Sequence, residues 1–137
     1  MTSPLKVGIA GYGIVGKRRR DIIDARDDMH VVAVCDQTLD GTGIFDDGVR
    51  FYDIYTDLLG ESLDILFVAM SNDMAAAVTI AGLEKNFHVF CEKPPGRDVS
   101  DIKAVVECYQ IHQDQVLKYG FNHRYHDSVQ DALSIIR

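Results

Sequence analysis

Val7-Gly8-Ile9-Ala10-Gly11-Tyr12-Gly13-Ile14-Val15-Gly16 decides how this chain folds. Val7 to Ala10 is a short apolar run of the kind that forms a strand covered on both faces. It stops at a G-x-G-x-x-G turn, and from Ile14 to about Arg26 the pattern predicts a helix. Each glycine answers a separate steric demand. Gly11 allows the tight turn, Gly13 lets the backbone approach a pyrophosphate, and Gly16 lets the helix lie close to the strand. The free N–H groups at the start of that helix, aided by its dipole, form a seat for phosphate. Tyr12, Ile14 and Val15 fill the turn, so the whole stretch from Gly11 to Gly16 is assigned to binding a dinucleotide.

The next strand supports that assignment. Val31-Val32-Ala33-Val34 is β-branched and apolar, and Asp36 follows it, twenty residues after Gly16. An acid in this place accepts a hydrogen bond from an adenosine ribose and repels a 2′-phosphate, which favours NAD over NADP. The cations Lys17 to Arg20 oppose the dipole of the first helix. They could meet cofactor phosphate, but are expected instead to form a solvated face, with Lys17 paired to Asp21 and Arg20 to Asp24.

Further along, strand and helix patterns alternate. Gln37 to Gly48 is rich in glycine and aspartate and reads as loop. A weak strand at 50–52 and a short helix near 56–59 come next. Ile65 to Ala69 is the clearest strand. A helix is expected over about 73–84, capped by Asn72 or Asp73, and a strand at His88 to Cys91. A helix through Ile102, Val105, Val106 and Tyr109 should follow, capped by Asp98 or Ser100. Val116 to Tyr119 is the last strand, and an amphipathic helix runs from His126 through Val129, Ala132, Leu133 and Ile136. Such alternation implies a parallel sheet with right-handed crossovers. With the glycine fingerprint the fold class is α/β: a Rossmann-type, doubly wound parallel sheet of about six strands in the order 3-2-1-4-5-6.

Bulk properties narrow the function. The 137 residues suit a single domain. A net charge of −7 is wrong for nucleic acid, whose affinity comes from neutralising phosphates. Cys35, Cys91 and Cys108 match no zinc spacing and read as reduced structural thiols, so no metal is expected. No secretory signal is visible, and the longest apolar run, Ile65 to Met70, is too short for a bilayer. The chain therefore reads as soluble, cytoplasmic and free of membrane partners. His30, His88, His112, His123 and His126 read as structural, with His123 and His126 placed after the last strand.

Cys91-Glu92-Lys93-Pro94-Pro95, together with the fingerprint at Gly11 to Gly16, resembles the Gfo/Idh/MocA oxidoreductases. Asp64 to Ala69, His88 to Pro94 and Gly120-Phe121-Asn122-His123-Arg124-Tyr125 extend the likeness over most of the chain. The resemblance implies an NAD(P)-dependent dehydrogenase acting on a sugar, cyclitol or related polyol. It also implies that Lys93 is the catalytic lysine beside nicotinamide and substrate hydroxyl, and that Ser71, Asn72, Glu92 and Lys93 join the cofactor site. A lysine at the carboxyl end of a strand points into the ligand crevice, where its ammonium can stabilise a developing alkoxide. Two departures stand out. The family usually shows Ala-Thr-Pro-Asn and then a histidine, whereas this chain has Ala69-Met70-Ser71-Asn72 and Ala75 in the histidine's place. The family also has a C-terminal domain for substrate and dimerisation. The chain breaks off in a helix at Ile135-Ile136-Arg137, so that domain is expected to be absent, residues 1–137 to be the dinucleotide-binding domain, and this chain alone to be inactive. The exposed final helix would favour homo-oligomers. The rival is a non-enzymatic NAD-binding module, a redox sensor or scaffold. An aspartate- or dipicolinate-type dehydrogenase fits Glu92-Lys93-Pro94 less well.

Overall fold

In a computed structural model, which describes residues 3–136, strands and helices alternate from end to end. The order is β1 (Leu5–Ala10), α1 (Ile14–Asp24), β2 (Met29–Cys35), β3 (Gly43–Ile44), β4 (Arg50–Tyr52), α2 (Tyr55–Leu58), β5 (Ile65–Val68), α3 (Asn72–Glu84), β6 (His88–Cys91), α4 (Val99–Ile111), β7 (Leu117–Tyr119), a 3₁₀ turn (Asn122–Tyr125) and α5 (Asp127–Ile136). The strands lie in the order β3-β4-β2-β1-β5-β6-β7. All pairs are parallel except β3 with β4. Setting β3 aside, this is the doubly wound order 3-2-1-4-5-6, with its switch point at β1.

The segment taken for loop between Gln37 and Gly48 contains one strand. Gly43 and Ile44 pair antiparallel with Phe51 and Arg50, making a hairpin at the sheet edge. Two residues show no periodicity, so only tertiary pairing reveals the strand. Phe45 packs against Phe51, the rings tilted and their centroids 4.8 Å apart, fastening the hairpin to the core.

Burial on both faces explains the apolar strands. On one face Ala33, Cys35, Leu66, Val68, Val89 and Cys91 pack with Leu58, Ala75, Val78 and Leu83 from the helices. On the other, Val7, Ile9, Val31 and Val34 pack with Ile23 of α1 and Val49. Ala75, which replaces the family's histidine, is 1% exposed and belongs to this packing rather than to a polar site. Cys35 and Cys91 are free and buried. Burial pushes the Cys35 thiol up to about 12, and that of Cys91 in the same direction. Both therefore stay protonated and unreactive.

The helix ends refine the expectations. Asp98 caps α4, accepting from the N–H groups of Ser100 (2.8 Å) and Asp101 (3.1 Å). For α3 the cap is Ser71, not Asn72 or Asp73. Ser71 is extended, and its carbonyl already accepts from Met74 and Ala75. Asn72 and Asp73 are thus inside the helix, where the Asp73 carboxylate complements the dipole. No helix among the described residues is long and apolar enough to cross a membrane.

Candidate functional site

Parallel register brings three strand ends to one level. Ala10 lies beside Cys35 on one side and Val68 on the other. The chain leaves the sheet there through Gly11, Asp36 and Ala69. The Gly11 N–H donates to the Cys35 carbonyl at 2.8 Å, and the Ala69 N–H to the Ala10 carbonyl at 2.7 Å. These bonds fix the floor of a crevice of about 190 Å³, lined by Gly11, Gly13, Asp36, Gln37, Ala69, Met70, Ser71 and Met74.

The glycines differ as the sequence requires. Gly11 has φ +94°, and a Cβ on it would strike the Ala69 carbonyl and come within 2.9 Å of the Met70 nitrogen. A Cβ on Gly16 would collide with the Gly11 carbonyl oxygen. Around Gly13 nothing lies within 4 Å of the Cβ position. Its surroundings are open, and it is the N-cap of α1, with no side-chain cap and no acid in the first turn. The N–H groups at the helix start are left for an anion. Ile14 and Val15, 74% and 44% exposed, stand beside this mouth as unburied apolar side chains.

Asp36 ties the glycine turn to the end of β2. One carboxylate oxygen accepts from the Tyr12 N–H at 2.8 Å. The other accepts from the Thr38 N–H at 2.9 Å and the Thr38 hydroxyl at 2.7 Å. Burial works to raise its pKa, but these hydrogen bonds and nearby Lys17 outweigh that and hold it below the ordinary carboxylate value. A carboxylate offers about four acceptor positions, so one remains for a ligand hydroxyl. Beside Asp36 lies a second recess, about 340 Å³, formed by Tyr12, Lys17, Arg20, Thr38, Leu39 and Phe45.

The Glu-Lys-Pro turn reaches the same edge. β6 runs alongside β5, Val68 beside Cys91, and the Glu92 N–H donates to the Val68 carbonyl at 2.8 Å. The Glu92 side chain is paired with Arg19 of α1, whose guanidinium also sits 5.4 Å from the Phe90 ring centroid. Glu92 thus anchors the turn to α1 through its side chain. Lys93 is exposed, precedes Pro94 across a cis peptide bond, and makes no ion pair among the described residues. It stands at the carboxyl edge but outside the wall of the 190 Å³ crevice. Ser71 lines that wall, while Asn72, exposed, opens α3 just outside it. His123 and His126 stack on each other at 4.9 Å, exposed and away from the crevice lining.

The basic cluster is only half the solvated face it was expected to be: Lys17 and Arg18 are exposed, while Arg19 and Arg20 are half-buried. Arg20 pairs with Asp24 at 3.1 Å as the helical spacing predicts, but also with Asp47 of the hairpin turn and with the Tyr12 hydroxyl. Its side chain is only 13% exposed. No Lys17–Asp21 pair forms among the described residues. Arg19 and Arg20 find partners 73 and 27 residues away, contacts with no local signature.

A larger recess, about 400 Å³, opens around Lys6, His30, Arg50 and Glu61, by the amino ends of β1, β2 and β4. Arg50 and Glu61 neutralise each other at 3.0 Å. Ligands of open α/β sheets bind at the carboxyl edge, so the glycine crevice is the candidate site.

Comparison with known proteins agrees with this geometry. The family model described as "Oxidoreductase family, NAD-binding Rossmann fold" matches residues 5–121. Inositol 2-dehydrogenase of Salmonella typhimurium is 31% identical over 141 aligned residues, covering 96% of this chain and 41% of that protein. D-glucoside 3-dehydrogenase of Escherichia coli is 30% identical over 129, covering 90% of this chain and 36% of the other. The crystal structure of myo-inositol 2-dehydrogenase from Lactobacillus plantarum superposes with a TM-score of 0.80 at 25% identity, over 97% of this chain and 41% of that one. The chain therefore spans about two fifths of the length of these relatives.

Proposed function

Because the chain belongs to the oxidoreductase family with an NAD-binding Rossmann fold, we propose that it holds the cofactor of a dehydrogenase acting on a sugar, cyclitol or related polyol. The observation that carries this reading is the pairing of an open Gly13 helix start with Asp36 at the same strand edge. The residues fit NAD. The N–H groups at the start of α1 would take the pyrophosphate, and the free acceptor position of Asp36 a ribose hydroxyl. Gly11 and Gly16 keep the turn close to the sheet. The backbone of Ala69 to Ser71 gives the opposite wall, and Tyr12 screens the ribose side. NAD supplies, when bound, the ring that exchanges hydride with the substrate carbon. Lys93, fixed at the edge by the Arg19–Glu92 pair, would present a cation to the reacting hydroxyl and stabilise negative charge developing there.

Asp36 sets the expected coenzyme preference. NADH should bind at least about tenfold more tightly than NADPH, a difference of about 1.4 kcal/mol. Cofactor fluorescence titration measures it. Asp36→Ala should narrow the gap by removing both the ribose bond and the repulsion. Equal or tighter binding of NADPH by the unaltered chain would overturn the role of Asp36.

Residues 1–137 should bind cofactor without oxidising a polyol. Every strand end that forms the crevice lies within them. The relatives are more than twice as long, and we assign the substrate wall and the second proton-handling group to what this stretch does not contain. A general base adds ~10²–10⁴-fold to rate, and orientation of the substrate adds more. NAD⁺ reduction with a panel of inositols and sugars should therefore stay at background. Robust oxidation by this chain would refute the division of labour. NAD affinity without turnover even in a two-domain form would instead favour a redox-sensing module. We place the protein in the cytoplasm, where thiols such as Cys35, Cys91 and Cys108 remain reduced. Self-association through α5 is supported by Ile135 and Ile136, 82% and 78% exposed.

A further inference from the structure

We propose that Asp47 is a coenzyme-selecting residue: by pairing with Arg20, which lines the recess beside Asp36, it occupies the guanidinium that would otherwise take the 2′-phosphate of NADPH. The inference rests on the reading that the crevice binds NAD and adds a second selecting element to Asp36.

Position comes first. The recess formed by Tyr12, Lys17, Arg20, Thr38, Leu39 and Phe45 adjoins Asp36, since Tyr12 and Thr38 both donate to the Asp36 carboxylate. A ribose hydroxyl on Asp36 would carry any 2′-substituent toward this recess. Two cations face it, Lys17 and Arg20. Arg20 has the geometry for a phosphate, because its planar fork can donate two parallel bonds.

Those donors are already committed. The Arg20 Nε donates to Asp24 at 3.1 Å, one terminal nitrogen to the Tyr12 hydroxyl at 2.9 Å, and the other to Asp47. Burial disfavours the Arg20 cation, and the bonds to Tyr12, Asp24 and Asp47 more than restore it. Two carboxylates bond Arg20, Asp24 and Asp47, and Lys17 is the other cation on the recess. Asp24 lies on α1 with Arg20, whereas Asp47 reaches in from a different element. It sits in the turn between β3 and β4, where its second oxygen accepts from the Val49 N–H at 3.1 Å. The edge hairpin therefore serves to bring a carboxylate onto a helix-borne arginine.

The test is a titration of NADH and NADPH against the unaltered chain, Asp36→Ala, and Asp36→Ala combined with Asp47→Asn or Asp47→Ala. Asparagine keeps the acceptor for Val49 and removes the charge, while alanine removes both, so agreement between them excludes a folding artefact. In the Asp36→Ala background either change should tighten NADPH about tenfold, with NADH altered by less than about threefold. Adding Arg20→Ala should erase the gain, and adding Lys17→Ala should not. An NADPH-to-NADH ratio unmoved by both Asp47 variants would overturn the proposal. So would a gain that survives Arg20→Ala but vanishes with Lys17→Ala. If no variant and no unaltered chain binds either coenzyme, the cofactor reading itself fails and takes this inference with it.

Discussion

Replacing Gly13 by valine should abolish NADH binding and leave the domain folded. Apart from its chain neighbours, no atom lies within 4 Å of the place a Cβ would take, and Gly13 is the N-cap of α1, where the pyrophosphate would sit. The branched side chain fills the ligand's space rather than the protein's. The loss should be at least about a hundredfold in affinity, roughly 2.7 kcal/mol. Stability should fall by no more than about 1 kcal/mol, because valine is a poorer N-cap than glycine. Gly13→Ala has the same capping defect with less bulk, and should lose less affinity. Fluorescence titration beside a thermal melt followed by circular dichroism separates the two effects. Native melting with undiminished NADH binding would remove the glycine turn from the site.

The opposite failure is expected three residues on. Gly16→Ala should cost about 3 kcal/mol or more of stability, although alanine is favoured over glycine within a helix by about 1 kcal/mol. The added methyl would overlap the Gly11 carbonyl oxygen and lie 3.3 Å from the Ile9 side chain. The first obstacle is backbone, held by the Gly11-to-Cys35 hydrogen bond, so it cannot yield as a side chain does. The melting temperature should drop by on the order of 10 °C. A rise, the result that helix propensity alone dictates, would show that α1 is not pressed against the turn.

The contrasting surroundings of Gly13 and Gly16 show what was legible in the sequence. Steric roles in a short, regular turn depend on local spacing, so Gly11, Gly13 and Gly16 can be assigned before any coordinates are known. The same holds for Asp36, because β2 is a plain apolar strand whose end is easily found. The parallel sheet followed from alternation, and the strand order from the glycine turn that marks a Rossmann fold. What escaped depends on distant parts of the chain. The pairing of Gly43–Ile44 with β4 is too short to leave a periodic trace. Arg19 and Arg20 lie in a run of basic residues that resembles any solvated helix face. Only the folded sheet shows that one holds Glu92 and the other Asp47. The α3 cap was misplaced by one or two residues because Ser71 acts through its backbone, leaving no side-chain bond to recognise.

The position of β1 also governs the order in which the molecule can be completed. Among the described strands it is made first, yet it lies in the interior of the sheet, between β2 and β5. Its β2 side can close as soon as Met29–Cys35 has been made. Its other side waits for Ile65–Val68, some sixty residues after Val7. Throughout that interval the nascent chain carries an unsatisfied interior strand edge, with the N–H and C=O groups of Val7 to Ala10 open to any passing strand. The glycine turn is only half braced over the same interval, since the Ala69-to-Ala10 hydrogen bond is the last of its supports to be synthesised. A segment that reads as the simplest part of the sequence is thus secured only when about half of the stretch has been made.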